Sequence, residues 1–193
     1  MIPNGNAQID AHIFLVVAQN DWSSTMQRID KDEVLDRLKR MEDAGFNVDD
    51  RLFREVKKPG QMFLFSLPDT NAFFHLLWQS IDETRCLAPL GQSRTLFDCA
   101  SRLATWGWRF DNLTKGGHSW FGKCVEIDSC FDYSKFGWLA LTICNSAERE
   151  GSPTGTYYIY DGVHKSIVLA KKLLNSEIGY TPLEALLLTP RRS

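Results

Sequence analysis

The segment GTYYIYDGVHKSIVLAKKLL, residues 155–174, joins two sequence patterns at one point. The aromatic and β-branched run up to Tyr160 is typical of a strand, and the apolar spacing after Gly162 is typical of a helix. An acid, a glycine, an imidazole, an ammonium and a hydroxyl stand at the junction: Asp161, Gly162, His164, Lys165 and Ser166. The segment therefore predicts a strand that turns into a helix and carries polar groups at the turn.

Such a turn has the physical properties of an anion-binding site. A helix that begins near Val163 leaves its first backbone N–H groups without partners, and the helix dipole adds partial positive charge there. Gly162 lets the backbone turn sharply and lets a ligand come close. Cations in a first helical turn oppose the dipole, and an anion beside Lys165 would remove that conflict. We expect phosphate as the occupant; the alternative is an ordinary helix start, with Asp161 as N-cap and His164 on the surface.

The composition is that of an ordinary globular protein. The chain has 193 residues, of which 44% are hydrophobic and 24% charged, and this length can bury a sizeable core in one domain. A net charge of −2 excludes a uniformly basic nucleic-acid binder but allows local basic patches, such as residues 51–58. The five cysteines form no C-x-x-C pair, and the sequence shows no signal-peptide pattern and no run of about 20 apolar residues. We therefore expect a soluble, cytoplasmic protein with free thiols and no membrane insertion.

Hydrophobic periodicity predicts an α+β chain whose first hundred residues are mostly helical, with one or two strands. Strands are expected at residues 13–19, 61–68, 138–144, 156–160 and 182–190. Helices are expected at residues 30–45, 69–86, 93–107 and 164–174. In the first of these helices, Asp30 is the expected N-cap and Gly45 the expected stop. Residues 106–137 are rich in Gly, Trp and Phe, lack a clean period and contain KGGHSWFGK at 115–123, which is expected to form a loop.

The loop expected at residues 115–123, KGGHSWFGK, places basic groups beside an aromatic ring. This combination suits single-stranded nucleic acid, and the alternative is a loop whose Trp120 packs inward. The spacing of His118, Cys124 and Cys130 is poor for zinc, so we expect no metal site built from these side chains. Lys135 lies ahead of the strand expected at 138–144 and is expected to reach phosphates from a facing loop, with a solvated loop as the alternative.

The run YYIYDGVHKSIVLAKKL, followed by TPLEALLLTP, resembles the signature of the ParB/sulfiredoxin superfamily. Members carry a strand, then Asp-Gly-x-His-Arg or Gly-Cys-His-Arg, then a helix with small apolar residues facing the sheet. The resemblance covers residues 133–190. It implies an α+β domain with a ParB/sulfiredoxin-like mixed sheet and packed helices. Within a single domain of residues 1–193, residues 1–105 would be a mostly helical elaboration and residues 106–193 the nucleotide-binding core.

The resemblance implies a nucleotide-phosphate cradle made of Gly162, Val163, His164, Lys165 and Ser166. Lys165 stands where the family usually has Arg, and a lysine lacks the bidentate fork of a guanidinium. Val163 stands where sulfiredoxins have cysteine, so a thiol-linked intermediate cannot form. Asp161 matches the acid of the Asp-Gly-x-His branch.

The same resemblance implies an enzyme that uses ATP and Mg²⁺. Members of this branch resemble ATP-hydrolysing, DNA-degrading proteins, among them plasmid-encoded fertility-inhibition factors. We therefore expect an ATPase and DNA nuclease that inhibits conjugative or T-DNA transfer through a type IV secretion system. Its partners would be a nucleotide, DNA as a single strand or a transfer intermediate, and a secretion-system coupling protein.

Three residues are expected to carry the catalysis. Lys165 would bind phosphate, His164 would be a phosphate donor or a general acid, and Asp161 would position a metal ion or water, or simply cap the helix. Two other functions stay open. One is a non-catalytic interaction protein that blocks a secretion or partition machine, and the other is a nucleotide-dependent kinase acting on a small molecule.

Overall fold

The computed structural model describes residues 26–46, 48–78, 93–107, 115–143 and 157–190. These residues form a mixed α+β structure. The strands are β1 (Gln27–Arg28), β2 (Gly60–Leu67), β3 (Leu77–Trp78), β4 (Leu139–Ile143), β5 (Tyr157–Asp161) and β6 (Leu183–Pro190). The α-helices are α1 (Lys31–Asp43), α2 (Asp50–Lys57), α3 (Thr70–Phe74), α4 (Leu96–Trp106), α5 (Lys115–Ser129) and α6 (Val163–Leu174).

All of these strands belong to one sheet, in the order β1-β2-β6-β4-β5-β3. Within this sheet β2 and β6 are antiparallel partners along their full length, from Gly60 opposite Pro190 to Leu67 opposite Leu183. β4 runs parallel to β6 and antiparallel to β5, and β3 runs parallel to β5 at the edge. Strands from residues 1–105 and from residues 106–193 are therefore interleaved in the same sheet.

Helices cover both faces of the sheet. The alternation of side chains along β2 sends Phe63 and Phe65 to one face and Met62 to the other. The first face packs against α3, α4, α5 and α6, and the second packs against α1 and α2. The sheet is thus the middle of three layers, and both its faces are apolar.

Most of the expected elements are confirmed. The helices expected at 30–45, 93–107 and 164–174 are α1, α4 and α6, and the last four expected strands are β2, β4, β5 and β6. Asp30 caps α1 by accepting a hydrogen bond from the Asp32 N–H at 2.8 Å, and Gly45 follows the helix with φ at +83°. The strand expected at 13–19 lies outside the described residues.

The helix expected over residues 69–86 is wrong beyond Phe74. Asp69 caps α3 by accepting a hydrogen bond from the Ala72 N–H at 2.8 Å, but the helix lasts five residues and the chain enters β3 at Leu77. Leu77 and Trp78 are buried and pair with β5, so this part of the apolar run forms the edge strand of the sheet and not the buried face of a helix. Residues 79–86 lie outside the described part of the chain.

The loop expected at residues 115–123 is also wrong, because these residues begin helix α5. Its glycines lower intrinsic helix propensity by roughly 1 kcal/mol each, which is why the sequence reads as a loop. Tertiary packing reverses this preference: Phe121 and Cys124 are buried, and Trp120 stacks on a side chain of α6. A non-helical segment remains at residues 130–138, with one 3-10 turn at Tyr133–Lys135.

Candidate functional site

The expected junction exists between β5 and α6. β5 ends at Asp161, Gly162 turns the chain with φ at +93°, and α6 begins at Val163. A Cβ atom at position 162 would lie 2.9 Å from Cε of Lys165 and 3.2 Å from Cδ1 of Leu139. The left-handed backbone conformation therefore favours glycine here, and a Cβ would also crowd Lys165 and Leu139.

The N-terminus of α6 has no side-chain cap. Gly162 occupies the N-cap position and offers no side chain, and the Asp161 carboxylate accepts the N–H of Gly162 itself at 2.7 Å. The alternative in which Asp161 is the N-cap therefore does not hold. The first N–H groups of this 12-residue helix are left for another acceptor.

A cavity of about 660 Å³ lies in front of this N-terminus. Its walls come from α5, from the segment at residues 130–136 and from the start of α2, so both helical layers contribute. Among the described residues, the cations that line it are Arg51, Lys123, Lys135 and Lys165. The aromatic lining residues are Phe46, Trp120, Phe131, Phe136 and Tyr160. The volume lies within the range of small-molecule sites, which is roughly 300–1,000 Å³.

Lys165 is held at the base of the cavity. Its ammonium donates a hydrogen bond to the Phe136 carbonyl and lies 5.2 Å from the centroid of the Phe136 ring. Burial lowers the pKa of Lys165, and the charge of Asp161 opposes that shift. Burial likewise raises the pKa of Asp161, and Lys165 opposes it. The two groups compensate each other's desolvation beside the cavity.

His164 packs against α5. Its ring stacks on Trp120 with centroids 4.0 Å apart and an angle of 23° between the planes. Its Nε2 atom is buried and finds no hydrogen-bond partner in the described part of the chain. Burial first, and then the charge of Lys123, lower the pKa of His164 to about 4. The imidazole is therefore neutral at pH 7 and does not act as a general acid there, and its low pKa also makes it a weak base.

The remaining predicted residues divide into two groups. Val163 and Lys135 line the cavity, and the Lys135 side chain is 78% exposed and 4.0 Å from Asp132. Ser166 is different, because it is fully buried and its hydroxyl donates to the Gly162 carbonyl at 2.8 Å. In this structure Ser166 stabilises the turn and does not line the cavity.

Sequence reasoning missed the contribution of the other helical layer. Arg51 and Asp49, at the start of α2, line the same cavity as residues more than 100 positions later in the chain. The basic stretch at residues 51–58 marks Arg51 as part of a basic patch. Nothing in that stretch predicts that the patch lies close to Gly162. Trp120, expected either to stack on a base or to pack inward, is half-buried against His164.

No three His, Cys, Asp or Glu side chains converge as metal ligands in the part of the chain that the structure describes. A magnesium ion commonly binds through one or two carboxylates and substrate phosphates, and Asp161 offers one such carboxylate at the cavity. The arrangement therefore fits an ion that arrives with a nucleotide. Of the thiols, Cys99 and Cys124 are buried, and burial raises the pKa of Cys99 well above its usual range.

Comparison of the chain with protein-family models, with curated proteins and with solved structures finds no match. Across the described ranges, every helix is too short or too polar to cross a lipid bilayer.

Proposed function

We propose that the protein binds a nucleoside triphosphate in this cavity and hydrolyses phosphate esters, as an ATPase and DNA nuclease of ParB/sulfiredoxin type. One observation carries the proposal. The uncapped N-terminus of α6 opens into a cavity of about 660 Å³ with the Lys165 ammonium beside it. Free N–H groups, a helix dipole and a cation together attract phosphate.

The cations of the lining would supply the electrostatics that phosphoryl chemistry needs, in a cavity that is also lined by the carboxylates of Asp49, Glu126, Asp132 and Asp161. Such reactions depend on positioning and on compensation of phosphate charge more than on covalent steps. The backbone amides after Gly162 and the ammonium of Lys165 would bind the phosphates, and Lys135 would approach from the exposed side. A magnesium ion held by phosphate and Asp161 would neutralise further negative charge. Neutral His164 would act as an N–H donor to a phosphate oxygen.

The biological setting in the proposal rests on the sequence resemblance alone. A plasmid-encoded factor that cleaves DNA with ATP would inhibit conjugative or T-DNA transfer through a type IV secretion system. Its DNA substrate would be a transferred strand, and a coupling protein would bring the two together.

The test compares the wild-type protein with Lys165→Met, which keeps the bulk of the buried side chain and removes its charge. Phosphate release from ATP with Mg²⁺ and nicking of supercoiled plasmid are measured in parallel. We expect both rates to fall about 100-fold, the scale seen when one stabilising group is lost from a transition state. The control is Lys39→Met, an exposed position on α1 that does not line the cavity.

Equal rates in the wild type and Lys165→Met would contradict the catalytic proposal. Thermal unfolding with and without ATP then separates two cases. If ATP raises Tm but is not hydrolysed, the protein binds nucleotide without being an ATPase. If ATP does not change Tm, the proposal of a phosphate-binding site at the N-terminus of α6 is wrong as well.

A further inference from the structure

His164 and Trp120 form a stacked pair at the wall of the cavity. His164 lies in the first turn of α6, Trp120 lies on α5, and both line the cavity. Their ring centroids are 4.0 Å apart and their planes meet at 23°, so the indole lies nearly flat against the imidazole. Further along the same helices, the Asp128 carboxylate pairs with the Lys171 ammonium at 3.0 Å. Because α5 is fastened to α6 in this way, the stack sets the orientation of the imidazole at the N-terminus of α6.

The two ring nitrogens of His164 have different surroundings. Nε2 is buried and has no hydrogen-bond partner in the described part of the chain. A neutral imidazole carries one N–H, so one nitrogen donates and the other accepts. A proton on Nε2 would bury a donor that has no acceptor, and such orphaned N–H groups are rare in folded proteins. The buried position of Nε2 therefore favours the tautomer in which Nδ1 carries the proton.

Nδ1 is the nitrogen of His164 that a molecule in the cavity can reach. The residue lines the cavity while its Nε2 atom is buried, which leaves Nδ1 as the polar ring atom on the accessible side. Nδ1 belongs to the same first turn of α6 as the uncapped N–H groups and Lys165. All of these groups are donors, so the ligand that satisfies them presents oxygen acceptors.

We propose that Trp120 is a positioning residue that holds His164 as its Nδ1–H tautomer, and that Nδ1 donates a hydrogen bond to a phosphate oxygen of the nucleotide. This inference rests on the proposed function and assigns the donor to one atom. The indole acts through the imidazole and does not itself bind phosphate. A flat ring is required at position 120, because stacking sets the plane of the imidazole and with it the direction of the Nδ1–H bond.

The first experiment uses NMR to follow the two ring-nitrogen signals of His164 in isotope-labelled protein without ligand at pH 7. The signals are assigned by their absence from His164→Asn. We expect the wild type and Trp120→Phe to carry the proton on Nδ1, because phenylalanine can also stack on the imidazole. Trp120→Ala should show both tautomers. A proton on Nε2 in the wild type, or an unchanged tautomer in Trp120→Ala, would overturn the positioning role of Trp120.

The second experiment measures Kd by calorimetry for ATP and for inorganic tripolyphosphate. Asparagine bears its amide nitrogen on Cγ, as histidine bears Nδ1, whereas the glutamine amide lies one bond further out, near the position of Nε2. We expect His164→Gln and Trp120→Ala to weaken both ligands about tenfold, the scale of a lost hydrogen bond to a charged group. His164→Asn and Trp120→Phe should stay within about threefold of the wild type, because the donor and the stack are retained. The matched control is His75→Gln, since His75 is exposed and does not line the cavity.

Two results would contradict the contact between Nδ1 and phosphate. Equal losses in His164→Asn and His164→Gln would overturn the assignment to Nδ1. A loss seen with ATP but not with tripolyphosphate would overturn phosphate as the acceptor. Melting curves verify that each variant is folded. If Trp120→Ala is not, Trp120→Leu takes its place in both experiments, since leucine is apolar but has no ring that can stack.

Failure of this inference is distinct from failure of the proposed function. Wild-type protein that binds ATP, together with His164→Gln that binds it equally well, overturns the contact at Nδ1 and leaves the backbone amides of α6 and Lys165 as the phosphate site. Wild-type protein that binds neither ATP nor tripolyphosphate removes the proposed function and this contact together.

Discussion

Gly162 adopts a backbone conformation that residues with side chains rarely reach, and a Cβ there would crowd Lys165 and Leu139. We expect Gly162→Ala to lower the free energy of unfolding by about 1–3 kcal/mol through backbone strain and to weaken nucleotide binding. Urea unfolding measures the first effect and calorimetry the second.

Gly122 provides the control for this substitution. It lies in α5 with an ordinary helical conformation and open space around its Cα. Gly122→Ala should therefore stabilise the protein by about 0.5–1 kcal/mol, because alanine favours the helix. A Gly162→Ala protein as stable as Gly122→Ala would contradict the conformation described for the junction.

His164 makes stability depend on pH with a defined sign. Its pKa falls from an ordinary value of 6.5 to about 4 in the folded protein, so the unfolded chain binds a proton that the folded chain does not. The stability that this difference confers is complete above pH 6.5 and is lost as the pH falls toward 4, by roughly 3 kcal/mol.

The measurement is urea unfolding of the wild type and His164→Gln between pH 7 and pH 4. Subtracting the two profiles isolates His164 from Asp161, whose raised pKa acts with the opposite sign. In Trp120→Ala we expect the imidazole, followed by NMR, to titrate closer to its ordinary value, because a covering ring is gone. Parallel profiles for the wild type and His164→Gln would show that the imidazole is not buried.

The residues that meet at the junction could be predicted from the sequence. Asp161, Gly162 and Lys165 are neighbours in the chain, so a strand-to-helix turn brings them together by itself. Ser166 illustrates the limit, because its hydroxyl satisfies a backbone carbonyl, and only coordinates distinguish that from a ligand contact. The position of Arg51 at the cavity depends on how α2 packs against the sheet, which no local pattern encodes.

At the scale of elements, α5 and α6 are joined by an ion-pair network. Asp128 accepts from Lys171 at 3.0 Å and pairs with Lys172 at 2.7 Å, and all three side chains are at least 84% buried. We expect Asp128→Asn to lower the free energy of unfolding by about 2 kcal/mol, because two largely buried ammonium groups lose one carboxylate and keep only the more exposed Glu177 as charge partner. Urea unfolding measures the loss.

The matched control for this network is Asp36→Asn on α1, where the side chain is exposed and the expected change is below about 0.5 kcal/mol. Because α5 carries Trp120 and Lys123, loosening it should also weaken nucleotide binding in Asp128→Asn. Equal stability of the two variants would show that the network contributes nothing beyond surface charge.

Elements with strong periodicity were predictable, and those dominated by tertiary contacts were not. α1 combines a cap, an apolar stripe and a glycine stop, so each local signal agrees. α5 lacks these signals, and packing of Phe121 and Trp120 overrides its glycines. β3 is two residues long, and only its pairing with β5 and the bridge from Leu77 to Thr95 define it as a strand.

At the scale of the molecule, the strand order determines where the two helical layers meet. β4 and β5 are antiparallel neighbours, so the start of one adjoins the end of the other, and Ala140 stands opposite Asp161. The antiparallel pairing places Phe136, just before β4, beside the N-terminus of α6, and the cavity lies at this end of the two strands. Sequence patterns predicted a mixed α+β chain but not this order, since strand pairing depends on contacts between distant segments.

The pairing of β2 with β6 has a consequence for biosynthesis. β2 is rich in buried apolar side chains, and its principal partner is translated more than 100 residues later. Until β6 has been synthesised, one edge of β2 has no partner, and its apolar side chains are exposed to other nascent chains. Exposed strand edges of this kind are prone to aggregation, and chaperones protect them. A chain that ends before Leu183 would lack β6, so this edge of β2 would stay unpaired.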